Sequence, residues 1–474
     1  MAKNSGSDRV GLADRPSRNA RELAARVVFR VTEKGAFASR ALDAELSRSQ
    51  LADRDGALAT EIVYGTLRVL PALDARYGAF LRNAPETLDA VTRAVLRTAS
   101  YQLCHLSRVP PHAVVDESVA IVSAMRGPKL GGLVNAVLRR VAEGRPAEPQ
   151  QPTQVVVPAW VERELIGSLG AQRTRALLDA RQLPPPIGLR VRAGLDRLEV
   201  ARAISEALPS ARIELGQVSE RALLVWRAGD LRKLAAFAAG EVTVQEEGSQ
   251  WIASYLDAQP GERVADLCAG HGGKTTYLAE RVGEHGSVLA VDLDERKLEQ
   301  IEPELKRIGI PSERVTTRAI DLSKGTAGLG ATFDRVLLDA ACTGLGTLHR
   351  RPDLLLRVAA EDPARLGALQ LAMLHNAAKL VREGGVLVYS VCSPTNAEAR
   401  DVVLRFEQAS VGCFVREQAE QASAETFSAD ADGVLRIGPW PAIASTGVFP
   451  EQTPCDSPDA YQVVRFRRVE QRPA

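Results

Sequence analysis

The sequence predicts a multidomain chain: an all-α helical front, a small α+β insert and a C-terminal doubly wound α/β domain. Three observations carry that expectation. Apolar residues recur at helical spacing, without strand-like alternation, as far as residue 145. A proline-rich stretch, R-P-A-E-P-Q-Q-P-T at 145–153, then interrupts them. From Glu241 onward, apolar runs of strand length alternate with amphipathic helical ones. At 474 residues the chain also exceeds what one hydrophobic core supports.

Residues 1–16 are polar and rich in Gly, Ser and Asp, and are expected as a loose tail. From Ser17 onward, Ala24, Ala25, Val27, Val28 and Val31 fall at helical spacing, and the pattern returns over 57–67, 88–106, 113–124 and 130–141. Pro110 and Pro111 break it once, before the helix that His112 introduces. A helical domain over 17–145 and a linker over 146–158 follow. Residues 159–240 are expected as a small α+β domain, with helices over 160–180 and 198–207 and strands over 187–191, 212–215 and 222–226. Within 241–470, strands are expected at 263–267, 287–291, 315–319, 333–338 and 385–391, with helices at 272–281, 295–308, 364–381 and 396–407. That alternation is the signature of a mostly parallel sheet.

The net charge of +1 predicts no polyanionic partner by itself. Its distribution is uneven: residues 1–145 hold 22 Lys and Arg against 15 Asp and Glu, net +7, which leaves the remainder at −6. A phosphate-contacting module has such a basic front, and so does an arginine-rich solvated helical surface. Cys104, Cys268, Cys342, Cys392, Cys413 and Cys455 stand singly, with no C-x-x-C pair and no histidine at ligand spacing. The spacing argues against a zinc site and a disulfide framework and for a reducing compartment. With no signal-peptide pattern and no apolar run of spanning length, a cytoplasmic protein without membrane or metal partners is expected.

D-L-C-A-G-H-G-G-K-T-T at 266–276 joins the first strand of the large sheet to its first helix. Its glycines permit positive φ and close approach of the backbone to a ligand, and the helix start offers free N–H groups. Neither the P-loop spacing nor G-x-G-x-x-G is present. A carboxylate ends each of the next three strands: Asp292, Asp321 and Asp339. An acid at the second strand's end commonly binds a ribose diol. Together with Asp266 in the turn, these anions suit the sulfonium and amino groups of S-adenosylmethionine, so the sheet reads as a class I (Rossmann-like) methyltransferase domain.

Two further strand-like runs end in cysteine: V-L-L-D-A-A-C-T-G-L-G-T-L-H-R-R-P-D at 336–353 and L-V-Y-S-V-C-S at 387–393. A free cysteine is most often a small core hydrophobe. A pair of them at the carboxyl edge of a sheet, with Asp339 three residues before Cys342, suits nucleophilic catalysis instead. Methylating carbon 5 of cytosine needs activation. A thiolate adding to carbon 6 makes the ring an enamine, and a second group must help the adduct lose its carbon 5 proton and the thiol. DNA cytosine methyltransferases use one such cysteine, so the duplicate points to RNA.

The chain resembles the bacterial RsmB/Sun ribosomal RNA cytosine-carbon-5 methyltransferases, within the Nop2/Sun group, over residues 17–470. The likeness rests on the cofactor turn, on both cysteine stretches, and on V-T-V-Q-E-E-G-S-Q at 242–250. Upstream, Y-G-T-L-R at 64–68, Y-Q-L at 101–103, V-P-P-H-A at 109–113 and G-L-V-N-A-V-L-R at 132–139 resemble the family's NusB-like RNA-binding domain. The resemblance implies Cys392 as nucleophile and Cys342 as the thiol that assists release. It implies that Cys268, Ala269, Gly270, His271, Gly272, Gly273, Lys274, Asp292, Asp321 and Asp339 line the S-adenosylmethionine pocket, with Asp339 also near the base. Departures are Gly270 and His271 for the family's Ala and Pro, Ala341 for Pro, N-A-E-A at 396–399 for P-E-E-N, Arg192 for Asn, and D-A-Y-Q at 459–462 for D-G-F-F. His271 reads more readily as a loop residue than as a catalyst.

The leading expectation is therefore a monomeric RNA cytosine methyltransferase acting on small-subunit ribosomal RNA. Two alternatives stay open: a non-catalytic RNA-binding or ribosome-assembly protein that keeps the fold, and a transfer RNA methyltransferase. Cys104, Cys413 and Cys455 are expected to be structural. Arg139 and Arg140 could contact phosphate, or could complement a helix end.

Overall fold

The computed structural model describes residues 17–144, 156–181, 184–330, 332–417, 430–440 and 459–469. The expected tail, most of the linker and Cys455 lie outside them. The chain divides into two compact units, Met1–Pro158 with His349–Arg357, and Ala159–Leu348 with Val358–Ala474.

The first unit is helical: α1 (Ala20–Lys34), α2 (Ala38–Arg48), α3 (Asp53–Arg68), α4 (Leu70–Gly78), α5 (Ala90–His105), α6 (Pro111–Arg126) and α7 (Pro128–Glu143). In α1, Asn19 caps the N-terminus by accepting from Glu22 N, and Gly35 ends the helix in the left-handed region. The expected stripe of Ala24, Val27, Val28 and Val31 is buried. Helices α2 and α4 were not expected. No local side chain caps α2; instead Asp353 Oδ2 accepts from Ala38 N at 3.3 Å, and the Arg357 guanidinium lies 3.9 Å from the Phe37 ring centre. Those contacts place His349–Arg357 in the helical unit, whereas the sequence assigned it to the sheet domain.

In the second unit, α8 (Ala159–Ala180), broken at Gly170 where φ is 79°, precedes a small antiparallel sheet. Its strands β1 (Ile187–Val191), β2 (Arg212–Leu215) and β3 (Ala222–Trp226) fall where expected, with α9 (Arg197–Ala207) between the first two and α10 (Ala235–Ala238) after the third. Its fourth strand, β4 (Val242–Val244), pairs with β1 as Val191↔Val242. The small sheet thus extends past the expected boundary at 240, because a three-residue strand is too short to carry a readable pattern.

The large sheet runs β10 (Phe414–Arg416), β12 (Tyr461–Arg468), β9 (Val381–Val391), β8 (Phe333–Asp339), β5 (Arg263–Asp266), β6 (Ser287–Asp292) and β7 (Val315–Ala319), with β11 (Leu435–Ile437) paired to β12. Strands β5 to β9 are parallel, and β12 and β10 extend the sheet antiparallel. The flanking helices are α11 (Glu247–Tyr255), α12 (Gly273–Val282), α13 (Glu295–Leu298), α14 (Ile301–Arg307), α15 (Asp362–Lys379) and α16 (Arg400–Ala409). The helix expected over 295–308 is two, since Pro303 has no N–H for the carbonyl of Glu299. Alternate strand residues feed two cores: Val264, Leu337 and Val388 pack with Leu278 and Leu305 on one face, and Ala265, Leu338 and Tyr389 with Leu374 and Phe406 on the other.

In the helical unit, Gly65 of α3 lies under Tyr101 of α5: a Cβ there would sit 2.0 Å from the ring, whose hydroxyl donates to Glu61 at 2.5 Å. Gly65→Ala is expected to cost about 3 kcal/mol in urea unfolding of the helical unit. An unchanged midpoint would contradict this close packing.

Candidate active site

Strands β8 and β9 are parallel neighbours in the register Asp339↔Ser390. Past that pair the backbones stay tied, with Ala340 N donating to Ser390 O at 2.8 Å and Gly346 N to Cys392 O at 3.1 Å. The two loops leave the same carboxyl edge together, which puts Cys342 Sγ and Cys392 Sγ 3.3 Å apart. Gly346 has no room for a side chain, because a Cβ would lie 2.0 Å from Ala460 O. The Cys342 thiol is held well above its ordinary pKa, first by its hydrogen bond with Cys392 and then by burial.

Asp339 is fixed from both sides. Its Oδ1 accepts from Ser390 Oγ at 2.8 Å, and its Oδ2 pairs with Lys274 Nζ of the glycine-rich turn. Burial alone would lower the Lys274 pKa; Asp339 and then Asp266 more than offset it, so the amine stays a cation. The turn itself uses positive φ at Gly270 (56°) and Gly272 (85°), and a Cβ at Gly272 would meet Ile301 at 2.7 Å. Asp292 Oδ2 accepts from Gly270 N at 2.9 Å, and its other oxygen from Asp294 N at 2.9 Å. Beneath the turn, Arg190 of β1 is buried, donating to Gly273 O at 2.8 Å, Thr276 Oγ1 at 3.0 Å and Gln245 Oε1 at 2.6 Å. Burial pushes its guanidinium down to about 10, which leaves it charged at neutral pH.

The structure gathers Cys268, Lys274, Asp292, Asp339, Cys342 and Cys392 at the carboxyl ends of β5, β6, β8 and β9. Cys268 is an unreactive member, its thiol pushed up by burial and then by Asp266, Asp339 and Asp292. Ala269 and Gly273 shape the turn, Ala269 N donating to Val291 O at 2.8 Å. Two further expected residues have local partners. His271 is exposed and its Nδ1 lies 2.9 Å from Gln300 Oε1. Asp321, beyond the outermost strand β7, accepts from Ser323 Oγ at 2.6 Å and pairs with Lys324 at 2.9 Å, so its carboxylate serves its own turn. Cys413 is exposed and Cys104 packs in the helical core.

Sequence reasoning missed Arg190, Ser390 and the buried set of Gln370, Thr343 and Ser393 around Glu398. Only Arg190 left a signal, an arginine inside an otherwise apolar strand.

The buried Asp266 adds a test of fit for the cofactor. Its Oδ2 accepts from Thr275 Oγ1 at 2.8 Å, while its Oδ1 has no hydrogen-bond partner among the described residues. A cationic N–H donor, such as the amino group of S-adenosylmethionine, would supply the missing partner.

Comparison with known proteins agrees with this geometry. A family model described as 16S rRNA methyltransferase RsmB/F matches residues 253–446, and one described as NusB family matches 18–143. The probable ribosomal RNA small subunit methyltransferase B of Bacillus subtilis is 32% identical, over 82% of this chain and 88% of its own length. The chain belongs to the RsmB/F methyltransferase family. A putative methyltransferase of Mycobacterium tuberculosis is 35% identical, over 81% of this chain and 85% of its own. The crystal structure of PH0851 shares the fold, with a TM-score of 0.75 at 23% identity, covering 96% of this chain and all of that one. NSun6 from Pyrococcus horikoshii gives 0.54 at 18%, covering 66% of this chain and 99% of its own. As an RsmB/F member the chain is an RNA methyltransferase with a NusB helical unit, and S-adenosylmethionine is the methyl donor that family and fold imply. No helix among the described residues is long and apolar enough to cross a membrane.

Burial raises the Asp266 carboxyl to about 6. Its ionised form therefore destabilises the ligand-free fold above that pH, and the penalty vanishes below the ordinary carboxylate range, where folded and unfolded chains are both protonated. Asp266→Asn is expected to raise ligand-free stability at pH 7.5 by at most about 3 kcal/mol, a gain that fades towards pH 4, and to weaken S-adenosylmethionine binding. Denaturant melts at the two pH values and calorimetric titration check both; a loss of stability at pH 7.5 would contradict the assignment.

Proposed function

We propose that this RsmB/F enzyme methylates carbon 5 of a cytosine in small-subunit ribosomal RNA, with Cys392 as nucleophile and Cys342 assisting release. The observation that carries the reading is the 3.3 Å separation of two thiols on neighbouring strand ends beside a Lys274–Asp339 pair. A structural pair in a core would not have a buried Lys274–Asp339 ion pair beside it. The names of the relatives, which describe ribosomal RNA small subunit methyltransferases, support the substrate class.

The target base leaves any stack to reach the thiols, at a cost of about a few kcal/mol. Cys392 Sγ, as thiolate, bonds to cytosine carbon 6, and the electron pair of the carbon 5–carbon 6 double bond moves into the ring. Lys274 Nζ, kept protonated by Asp339, is the cation available to that negative charge. S-adenosylmethionine, when bound, supplies the electrophilic methyl group that carbon 5 takes; Asp266, Asp292, Asp339 and the backbone of 268–274 are the groups that would hold it. The carbon 5 proton then passes to a water molecule, the double bond re-forms and the Cys392 thiolate departs. Cys342, whose thiol is kept protonated, stands beside Cys392 to assist that departure. Arg139 and Arg140 are exposed on α7 and offer phosphate contacts on the helical unit.

Cys392→Ala is expected to abolish 5-methylcytosine in small-subunit ribosomal RNA, read by bisulfite sequencing of ribosomal and transfer RNA, and to form no RNA adduct. Cys342→Ala is expected to accumulate a covalent RNA–protein adduct on denaturing gels. The reverse pattern would overturn the assignment, and a loss confined to transfer RNA would overturn the substrate.

A further inference from the structure

Behind the two thiols lies a buried carboxylate that the chemistry above does not use. Glu398 is fully buried, in a 3-10 turn just before α16. Its Oε1 accepts from Thr343 N at 2.7 Å and Gln370 Nε2 at 3.2 Å. Its Oε2 lies 2.6 Å from Thr343 Oγ1, 2.5 Å from Ser393 Oγ and 2.9 Å from Thr395 Oγ1. No Lys, Arg or His pairs with it among the described residues. Such an uncompensated charge is costly to bury unless its donors are prearranged, and five donors match the acceptor-only form of a carboxylate.

The identity of the donors is what matters. Thr343 is the residue after Cys342, and Ser393 is the residue after Cys392. One carboxylate therefore grips both cysteine loops at the bond next to each thiol. Gln370 extends the grip by donating also to Ala341 O at 2.9 Å, the residue on the other side of Cys342. That bond stiffens the loop where the family's proline is replaced by Ala341. The Tyr389 hydroxyl, 2.5 Å from Glu398 O, pins the carboxylate's own backbone to β9.

We propose that Glu398 is a positioning residue for the methyl transfer: its carboxylate holds the two cysteine loops together, keeping Cys342 beside Cys392 through formation and release of the RNA adduct. The proposal rests on the roles given to the two thiols above. It carries a second consequence, electrostatic rather than steric. The Glu398 charge is among the influences that keep the Cys342 thiol protonated, after the hydrogen bond from Cys392, burial and the charge of Cys392. A cation, Lys274, stands by one thiol and an anion, Glu398, by the other, so the pair is electrically distinguished. That difference is consistent with the roles given to the two thiols above.

The test uses the full chain, in vitro transcribed small-subunit ribosomal RNA and S-adenosylmethionine. Glu398→Gln replaces an acceptor by an amide that must turn N–H groups towards donors. Its kcat per active site is expected to fall about 100-fold, the effect of a misplaced reacting group, with the KM for S-adenosylmethionine unchanged. The covalent RNA adduct is expected to accumulate, and the pH midpoint of Cys342 alkylation by iodoacetamide, read by peptide mass, to move down. A role in folding alone would lower the melting temperature while leaving kcat per active site and the alkylation midpoint at wild-type values, and that result overturns the proposal. Should Glu398→Gln fail to fold, Thr343→Val, which removes one hydroxyl and keeps the shape and the Glu398 charge, decides: a smaller fall in kcat per active site with accumulation of the RNA adduct supports it, and wild-type behaviour overturns it. Wild-type protein that makes no 5-methylcytosine would instead overturn the thiol roles, and this proposal with them.

Discussion

Parallel pairing of β8 with β9, in the register that sets Asp339 beside Ser390, is the constraint from which the site follows. Because side chains alternate along a strand, a slip of one residue would turn Asp339 and Ser390 to opposite faces and part the loops that follow. The register is protected on both sides: Leu338 and Tyr389 are buried in one core, Leu337 and Val388 in the other. Antiparallel β12, hydrogen-bonded to β9 over Val386–Val391, prevents β9 from becoming an edge. The two hydrophobic cores thus set the sulfur–sulfur distance, Cys392 packing against one and Cys342 against the other.

On the side away from the cores the thiols meet polar groups, most of which have a partner that also serves position. Lys274 is bound by Asp339, Asp339 by Ser390, and the glycine turn by Arg190 from below and Asp292 from the side. Such networks are costly when half-satisfied and rigid when complete. Among the atoms of this network, Arg190 Nε and Asp266 Oδ1 have no hydrogen-bond partner among the described residues, and Asp266 Oδ1, at the foot of the turn, lies where the methyl donor is expected. The cost of burying that carboxylate is borne in the ligand-free state and relieved by a cationic ligand, so binding and stability are linked through one residue.

The sequence displayed most of this arrangement, for identifiable reasons. Strands β5 to β8 lie within one residue of their expected bounds: β5, β6 and β8 carry apolar runs cut short by an acid, and the polar β7, Val-Thr-Thr-Arg-Ala, shows itself by its β-branched residues. Both cysteines, Asp339 and the turn were legible for the same reason. Helix α2 was not: its own residues are largely polar, and the group that closes its N-terminus is Asp353, more than three hundred positions away. Strand β12 was hidden by Arg465, Arg467 and Arg468, arginines in a segment that also buries Val463 and Phe466. Glu398 looked like a remnant of a motif, since only the fold brings Thr343 and Ser393 to it. Asp321, also a strand-end acid, is held by its own turn through Ser323 and Lys324, contacts the spacing of acids did not indicate.

The central claim, that Cys392 rather than Cys342 bonds to the base, is tested most directly by trapping the wild-type protein on RNA carrying 5-fluorocytidine. Fluorine at carbon 5 cannot leave as the proton does, so the covalent adduct persists after methyl transfer. Proteolysis and peptide mass mapping then identify the sulfur. A nucleotide remnant on the peptide containing Cys392, with Cys342 free, is the result this account predicts; a remnant on Cys342, or no adduct from a protein that still methylates, would contradict it.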